Sequence, residues 1–171
     1  GVRGRLDIAG RAPVDASAAL AREQGIPLLD FSVTDRIDVT IDGADEVDRS
    51  FNLIKGGGGA LLREKIVARA TETQIIVADE SKLKAQLGAF PLPVEITPFG
   101  WQATRARIRN LGCEPQLRMT NGDPFVTDNG NTILDCPFEA IPDPAELEKE
   151  LRSIPGVVEC GLFVALTDRV L

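Results

Sequence analysis

The 171-residue sequence contains no histidine. Histidine is the commonest general base in enzymes and completes the usual serine and cysteine triads, so its absence excludes those mechanisms. The three cysteines are widely spaced, form no C-x-x-C pair and have no histidine to complete a zinc site. We expect buried thiols in a reducing compartment, and proton chemistry carried by carboxylates and lysines. The cysteines are Cys113, Cys136 and Cys160.

Long apolar runs and basic clusters are also missing. No run approaches the 18 or so apolar residues that span a membrane, and no signal-peptide pattern opens the chain. The net charge of −7, without lysines and arginines clustered among aromatics, argues against nucleic acid as a partner. We expect a cytoplasmic protein. Because Gly1 is not an initiator methionine, an organellar targeting segment ahead of it stays open.

The first half of the chain alternates predicted helices and strands. In Ile37–Asp42 the apolar residues alternate strictly, which is the period of a strand. The continuous apolar run Ile75–Ala78 is typical of a strand covered by helices on both faces. Such alternation predicts a parallel sheet, whose ligands lie outside the carboxyl ends of its strands. Further predicted elements are a helix at 16–24 between Asp15 and Gly25, a strand at Ile26–Leu29, and a helix at 60–70 with Leu62, Ile66 and Ala70 on one face.

The pattern of predicted elements changes near Pro91 and Pro93, where the second half of the chain begins. Its predicted order is close to β-α-β-β-α-β, which is typical of a small α+β module of ferredoxin-like kind. We therefore predict an α/β domain at 1–91 plus 166–171 and a smaller domain at 92–165, the latter carrying no identifiable chemistry. Its predicted elements are strands at Val94–Thr97, Leu117–Met119 and Val157–Cys160, helices at 101–111 and 143–153, and a hairpin of 125–127 with 132–134 around Asn129-Gly130.

Four carboxylates occur within seven residues at the end of the predicted strand Ile37–Asp42, in the run from Asp42 through Asp45 to Asp48. Taken alone, this run is compatible with a solvated acidic loop or a metal site, although its spacing fits no EF-hand. Lys55 and four glycines follow. Glycines allow backbone N–H groups to approach a ligand closely, and the helix that follows favours negative charge at its N-terminus. A flexible turn is the alternative.

Glu64 lies early in that helix, where a carboxylate is common for electrostatic reasons alone. Lys82 follows the carboxyl end of the strand at 75–78. Together these features resemble the signature of the ribose-5-phosphate isomerase A family in order and spacing. The matching segments are 42–46, 55–60, 63–65, 78–82, 90–95, 127–131 and 154–158, so the resemblance extends over most of the chain.

The resemblance implies a Rossmann-like parallel-sheet catalytic domain and the interconversion of ribose 5-phosphate and ribulose 5-phosphate without metal or cofactor. It gives Glu64 the role of the base that moves a proton between C1 and C2 through an enediolate. Lys55 and the N–H groups of Gly56, Gly57 and Gly58 would stabilise the oxyanion. Asp42 and Asp45 would handle hydroxyl protons and ring opening, and Lys82 would bind the phosphate.

Two departures from this reading follow from the same resemblance. Family members begin with a strand, a turn and a helix that bind the sugar phosphate, and nothing in this sequence matches that unit. The segment from Thr167 to Leu171 resembles only the start of a closing strand. An inactive interaction module therefore stays open, as does a sugar-phosphate-sensing domain of a transcription regulator, which has no need of Glu64. A homodimer or homotetramer is expected.

Overall fold

The computed structural model describes residues 15–25, 31–32 and 35–171. The predicted strand at 26–29 lies outside these ranges. None of the described helices is long and apolar enough to cross a bilayer. The helices are α1 (Asp15–Glu23), α2 (Leu61–Arg69), α3 (Trp101–Arg109) and α4 (Pro144–Ser153). The strands are β1 (Ile37–Asp42), β2 (Glu46–Val47), β3 (Leu53–Ile54), β4 (Thr71–Ile76), β5 (Leu92–Ile96), β6 (Gln116–Leu117), β7 (Met119–Thr120), β8 (Asp123–Pro124), β9 (Thr132–Cys136), β10 (Val157–Cys160), β11 (Leu162–Phe163) and β12 (Arg169–Val170).

A parallel sheet in the order β1-β4-β12 confirms the predicted α/β architecture. Its central strand begins earlier than predicted, at Thr71, and ends at Ile76 rather than Ala78. The prediction that helices cover both faces up to Ala78 was wrong, because Val77 is 53% exposed. Apolar sequence marks burial, whereas β4 is defined by backbone pairing, which also includes the polar residues at its start. The carboxyl ends of β1 and β4 lie side by side, with Asp42 opposite Ile76.

An antiparallel sheet in the order β10-β5-β9-β6 forms the second layer, and its main core cluster includes Ile108 from α3 and Leu151 from α4. This is the strand order of the predicted ferredoxin-like module. Asp143 caps α4 as expected, since its carboxylate accepts a hydrogen bond from the Glu146 N–H. All three cysteines are buried free thiols, as the sequence predicted.

The predicted hairpin around Asn129-Gly130 was wrong. The turn exists, but residues 125–127 are not a strand, and the hairpin of this region is β7-β8 around Asn121 and Gly122. The physical reason is Glu95, a buried carboxylate on β5 whose Oε1 accepts hydrogen bonds from the Thr127 hydroxyl and from two asparagine side chains of the turn. These bonds to the Glu95 side chain take the place of a regular strand pairing with β9, with which the segment keeps a bond from the Thr132 hydroxyl to the Phe125 carbonyl.

The apolar face predicted for α2 was also wrong. Ile66 is 49% exposed, and the buried residues of the helix are Leu61, Lys65, Val67 and Ala68. Lys65 lies in the interior because its ammonium donates to Glu148 at 2.8 Å, to Glu159 at 2.9 Å and to the Cys160 carbonyl. Two carboxylates thus compensate a buried charge that no periodicity rule would place inside.

A short third sheet has the strand order β11-β3-β2. In the sequence, β2 and β3 lie between β1 and β4, and β11 lies between β10 and β12. β3 leads directly into Lys55 and the glycines, and β11 follows β10 after Gly161 alone. The N–H of Lys55 donates to the Gly161 carbonyl at 2.9 Å, and a Cβ on Gly161 would lie 2.2 Å from the Lys55 carbonyl oxygen. Only glycine fits at position 161, so this close approach of two backbone segments fixes the position of the Lys55 backbone.

Candidate active site

A polar cleft of about 260 Å³ opens at the carboxyl end of β1. It brings together residues from the end of β1, the loop after it, the turn after β3 and the first turns of α2. All of the catalytic residues predicted from the sequence line this cleft, as do three of the four predicted substrate-binding residues. The lining residues are Asp42, Gly43, Ala44, Asp45, Lys55, Gly56, Gly57, Gly58 and Glu64.

Lys55 forms the centre of the cleft, although its side chain is only 4% exposed. Its ammonium lies 2.9 Å from Asp42 Oδ2 and 3.4 Å from Glu64 Oε2, and it donates to the Gly43 carbonyl at 2.6 Å. Below it, the buried ring of Phe163 lies 5.7 Å from the ammonium. The lysine is therefore held in one position, with its charge directed between two carboxylates.

Glu64 is largely buried, with 18% of its side chain exposed. Burial raises the pKa of Glu64 above its ordinary value, and the nearby charges of Asp42 and Asp45 raise it further, whereas Lys55 lowers it. The ammonium at 3.4 Å is an ionic neighbour of Oε2 but does not satisfy that oxygen with a well-aligned hydrogen bond. A carboxylate that is desolvated and only partly satisfied is suited to accept a proton near neutral pH.

Asp42 and Asp45 lie on either side of the cleft and are held by backbone N–H groups. The Gly43 N–H donates to Asp42 Oδ1 and the Gly57 N–H donates to Asp45 Oδ2, both at 2.8 Å. A Cβ on Gly57 would lie 2.7 Å from Asp45 Oδ1, so a side chain at this position would displace the carboxylate. The glycine loop therefore approaches Asp45 more closely than any other residue type would permit.

The remaining acids of the run 42–48 have structural roles. Glu46 is 1% exposed, and its two oxygens accept from the N–H groups of Gly88 and Phe90 at 2.8 and 2.7 Å. Asp48 accepts from the N–H groups of Ser50 and Asn52 and so closes the turn before β3. The acidic run is thus neither a solvated loop nor one uniform site, since its first two carboxylates line the cleft and its last two bind backbone N–H groups of the fold.

Lys82 is not brought into the cleft. It lies in the short 3-10 helix Glu80–Lys82 after β4, which Asp79 caps through the Ser81 N–H, and its side chain is partly exposed. Among the described residues, no recorded contact joins Lys82 to the cleft carboxylates. Its phosphate-binding role stays a prediction.

Arg118 was missed by the sequence interpretation. It lies just after β6, and its guanidinium donates to the carbonyl oxygens of Gly56 and Gly57 at 2.8 and 3.2 Å while pairing with Asp135. No signal in a single sequence identifies this contact, because 61 residues separate Arg118 from Gly57.

One buried group of possible metal ligands occurs in the described part of the chain, formed by Glu148, Glu159 and Cys160. The Lys65 ammonium already bonds to both carboxylates and to the Cys160 carbonyl, so it provides the positive charge that this group needs. In the cleft, the Lys55 ammonium takes the corresponding place between Asp42 and Glu64. A carboxylate base beside a fixed cation is the arrangement required for proton transfer next to a carbonyl group.

Comparisons with known proteins find close relatives of this chain. A ribose-5-phosphate isomerase A of Oceanobacillus iheyensis is 52% identical over 166 residues, which cover 97% of this chain and 74% of that protein. The protein of the same name from Bacillus mycoides is 53% identical over 153 residues, or 89% of this chain and 69% of its own length.

Solved structures are similar as well. A D-ribose-5-phosphate isomerase in complex with phospho-erythronic acid superposes with a TM-score of 0.93 at 42% identity, covering 96% of this chain and 73% of that one. The ribose 5-phosphate isomerase A of Methanocaldococcus jannaschii gives a TM-score of 0.90 at 40% identity, covering 95% and 73%. The family model for ribose 5-phosphate isomerase A (phosphoriboisomerase A) matches residues 12–171. The chain therefore belongs to the ribose 5-phosphate isomerase A family.

Proposed function

We propose that this chain is an aldose-ketose isomerase that interconverts ribose 5-phosphate and ribulose 5-phosphate, a reaction of the pentose phosphate pathway. The observation that carries the proposal is the Lys55 ammonium lying between Asp42 and Glu64 in the cleft. Glu64 removes the proton from the carbon next to the carbonyl and returns it to the neighbouring carbon, through an enediolate. Its raised pKa suits it to both steps.

The negative charge that develops on the substrate oxygen needs a fixed partner. Lys55 is positioned for this role by Gly43, Asp42 and the buried Phe163, so it needs no rearrangement during the reaction. The Gly58 N–H is available beside it, because no hydrogen bond from this group is recorded within residues 35–171. Asp42 and Asp45 exchange protons with the sugar hydroxyl groups and assist ring opening, and Lys82 binds the phosphate.

The proposal predicts that Glu64→Gln abolishes turnover while substrate binding is largely kept. Glutamine keeps the shape of the side chain but cannot accept the proton. Conversion of ribose 5-phosphate is measured for the unmodified chain, for Glu64→Gln and for Glu150→Gln, which changes an exposed glutamate on α4. The Glu150 variant should retain full activity, and each protein is assayed with and without a chelator. Normal turnover by Glu64→Gln would refute the base assignment.

The sensing domain of a transcription regulator is the second candidate, because such a domain would share the fold. The buried and partly unsatisfied Glu64 argues against it, since binding alone gains nothing from such a group. A chain that binds the sugar phosphate without converting it would support the sensing role.

We also propose a catalytic domain at 1–91 plus 166–171, a smaller domain at 92–165, and a cytoplasmic homodimer or homotetramer. Two core clusters support a division into two units: one lies around the antiparallel sheet, and the other is formed by Val47, Leu53, Ala68 and Ile76 of the first unit together with Phe163 of the second. Exposed apolar side chains such as Phe99, at 95%, support an association between copies. Light scattering after gel filtration distinguishes a monomer from these oligomers.

A further inference from the structure

The glycine loop after Lys55 is held from outside the cleft by one side chain, that of Arg118. One of its terminal nitrogens, Nη1, donates to both the Gly56 and the Gly57 carbonyl oxygens. The other nitrogens, Nε and Nη2, form a two-point pair with the Asp135 carboxylate at 3.0 and 2.5 Å. The fork geometry of the guanidinium is thus fully used, and its side chain is only 14% exposed.

These two carbonyl contacts determine the direction of two N–H groups. In a trans peptide the C=O and the following N–H point in opposite directions within one plane. The Gly56 carbonyl shares its plane with the Gly57 N–H, and the Gly57 carbonyl shares its plane with the Gly58 N–H. Because Arg118 binds both carbonyls on its own side, both N–H groups point away from it. The Gly57 N–H accordingly meets Asp45 in the cleft.

The neighbours of Arg118 make this arrangement rigid. Its backbone N–H donates to the Ile133 carbonyl, and its backbone carbonyl accepts from the Phe125 N–H, each at 2.9 Å. The Phe125 ring lies 5.8 Å from the guanidinium carbon. The same ring packs against Gly59, where a Cβ would come within 2.4 Å of it. Glycine conformations are intrinsically numerous, and here the turn's own hydrogen bond from the Gly59 N–H to the Gly56 carbonyl, at 3.0 Å, acts together with the Arg118 contacts to select one of them.

We propose that Arg118 is a positioning residue for the isomerase reaction, holding the glycine loop so that the Gly57 N–H stays bonded to Asp45 and the Gly58 N–H faces the developing oxyanion. The catalytic consequence of this inference rests on the proposed function, whereas the effect of Arg118 on the direction of the two N–H groups does not. The positive charge behind the two peptides also polarises them, which strengthens their N–H groups as donors. Asp135 acts through Arg118 by fixing the plane of the guanidinium.

The chain offers a matched control in Arg105. This arginine also donates to one backbone carbonyl, that of Pro115 at 2.7 Å, and also pairs with a carboxylate, that of Glu114 at 2.6 Å. It makes no recorded contact with the glycine loop in the described ranges. Arg118→Gln and Arg105→Gln thus remove the same chemical group from the same kinds of partner, with Arg105 the more exposed of the two, and Arg118→Lys keeps the charge without the fork.

The experiment measures two things on each protein. The first is the amide chemical shift and hydrogen-exchange rate of Gly57 and Gly58 by NMR. The second is kcat and KM for ribose 5-phosphate, together with the affinity for phospho-erythronic acid, whose carboxylate presents two oxygens as an enediolate does. For Arg118→Gln we expect shifted and faster-exchanging amides, a fall in kcat and in phospho-erythronic acid affinity of about 10-fold, and KM within about 3-fold.

Arg118→Lys should recover part of the loss, and Arg105→Gln should change neither measurement. The inference is overturned if the Gly57 and Gly58 amides of a folded Arg118 variant are unchanged, or if kcat falls no further than in Arg105→Gln. If the unmodified chain converts no ribose 5-phosphate, the proposed function fails, and the amide measurements alone then decide the role of Arg118. If Arg118→Gln does not fold, the same measurements on Arg118→Lys decide it.

Discussion

Gly57 and Gly58 are neighbours in one loop, yet the structure predicts opposite consequences for the same substitution. Neither glycine has a φ in the left-handed region, so alanine is conformationally allowed at both. A Cβ on Gly57 would lie 2.7 Å from Asp45 Oδ1 and 3.1 Å from its Oδ2, whereas a Cβ on Gly58 would have no atom within 4 Å. Gly57→Ala therefore displaces Asp45, and Gly58→Ala displaces nothing.

The magnitude follows from the contact that is lost. Displacing Asp45 breaks its hydrogen bond from the Gly57 N–H. Hydrogen bonds to charged groups contribute about 1.5–3 kcal/mol, and partial exposure reduces this one to about 1–2 kcal/mol. Gly58→Ala should stabilise the protein by about 0.4–1 kcal/mol, because alanine restricts the unfolded chain. The same gain applies to Gly57→Ala, so the two variants should differ by the lost hydrogen bond alone, about 1–2 kcal/mol, or roughly 2–8 °C in Tm for a chain of this size.

Thermal unfolding of both variants, and of each combined with Asp45→Ala, tests this reasoning. Once Asp45 is replaced by alanine, Gly57→Ala has no carboxylate to displace, so the destabilisation that it causes should be much smaller than in the unmodified chain. The effect of Gly58→Ala should be the same in both backgrounds. Equal Tm values for the two single variants, or an undiminished Gly57→Ala effect without Asp45, would refute the steric argument.

Two further predictions concern the charged centre of the cleft. Lys55→Ala should lower kcat by about 10²- to 10³-fold, and a change confined to KM would instead indicate ground-state binding. Burial raises the pKa of Glu64, so the folded protein favours the neutral carboxyl, and ionisation costs stability. This cost is absent below the unfolded-state pKa of about 4.3 and accumulates as pH rises to the folded-state pKa. Glu64→Gln should therefore gain Tm relative to the unmodified chain as pH rises from about 4 to the raised folded-state pKa, and a difference that stays constant with pH would contradict the raised pKa.

The sequence by itself determined the local features of this protein. Strict alternation in Ile37–Asp42 gave the edge strand of the parallel sheet, and Asp143 followed by proline gave the start of α4. The residues Asp42, Lys55 and Glu64 were identified by their resemblance to a family signature, whose order and spacing can be read from short segments of the sequence; the local signals of a strand end, a glycine run and a helix start left other readings open.

The tertiary structure decided the features that depend on distant partners. The buried position of Lys65 depends on Glu148 and Glu159, more than 80 residues away, which override the apolar stripe expected for α2. The segment 125–127 is not a strand because Glu95 binds it from another element. The direction of the glycine N–H groups depends on Arg118. Compensation of buried charge and polarity requires partners from elsewhere in the chain, and local pattern does not identify such partners.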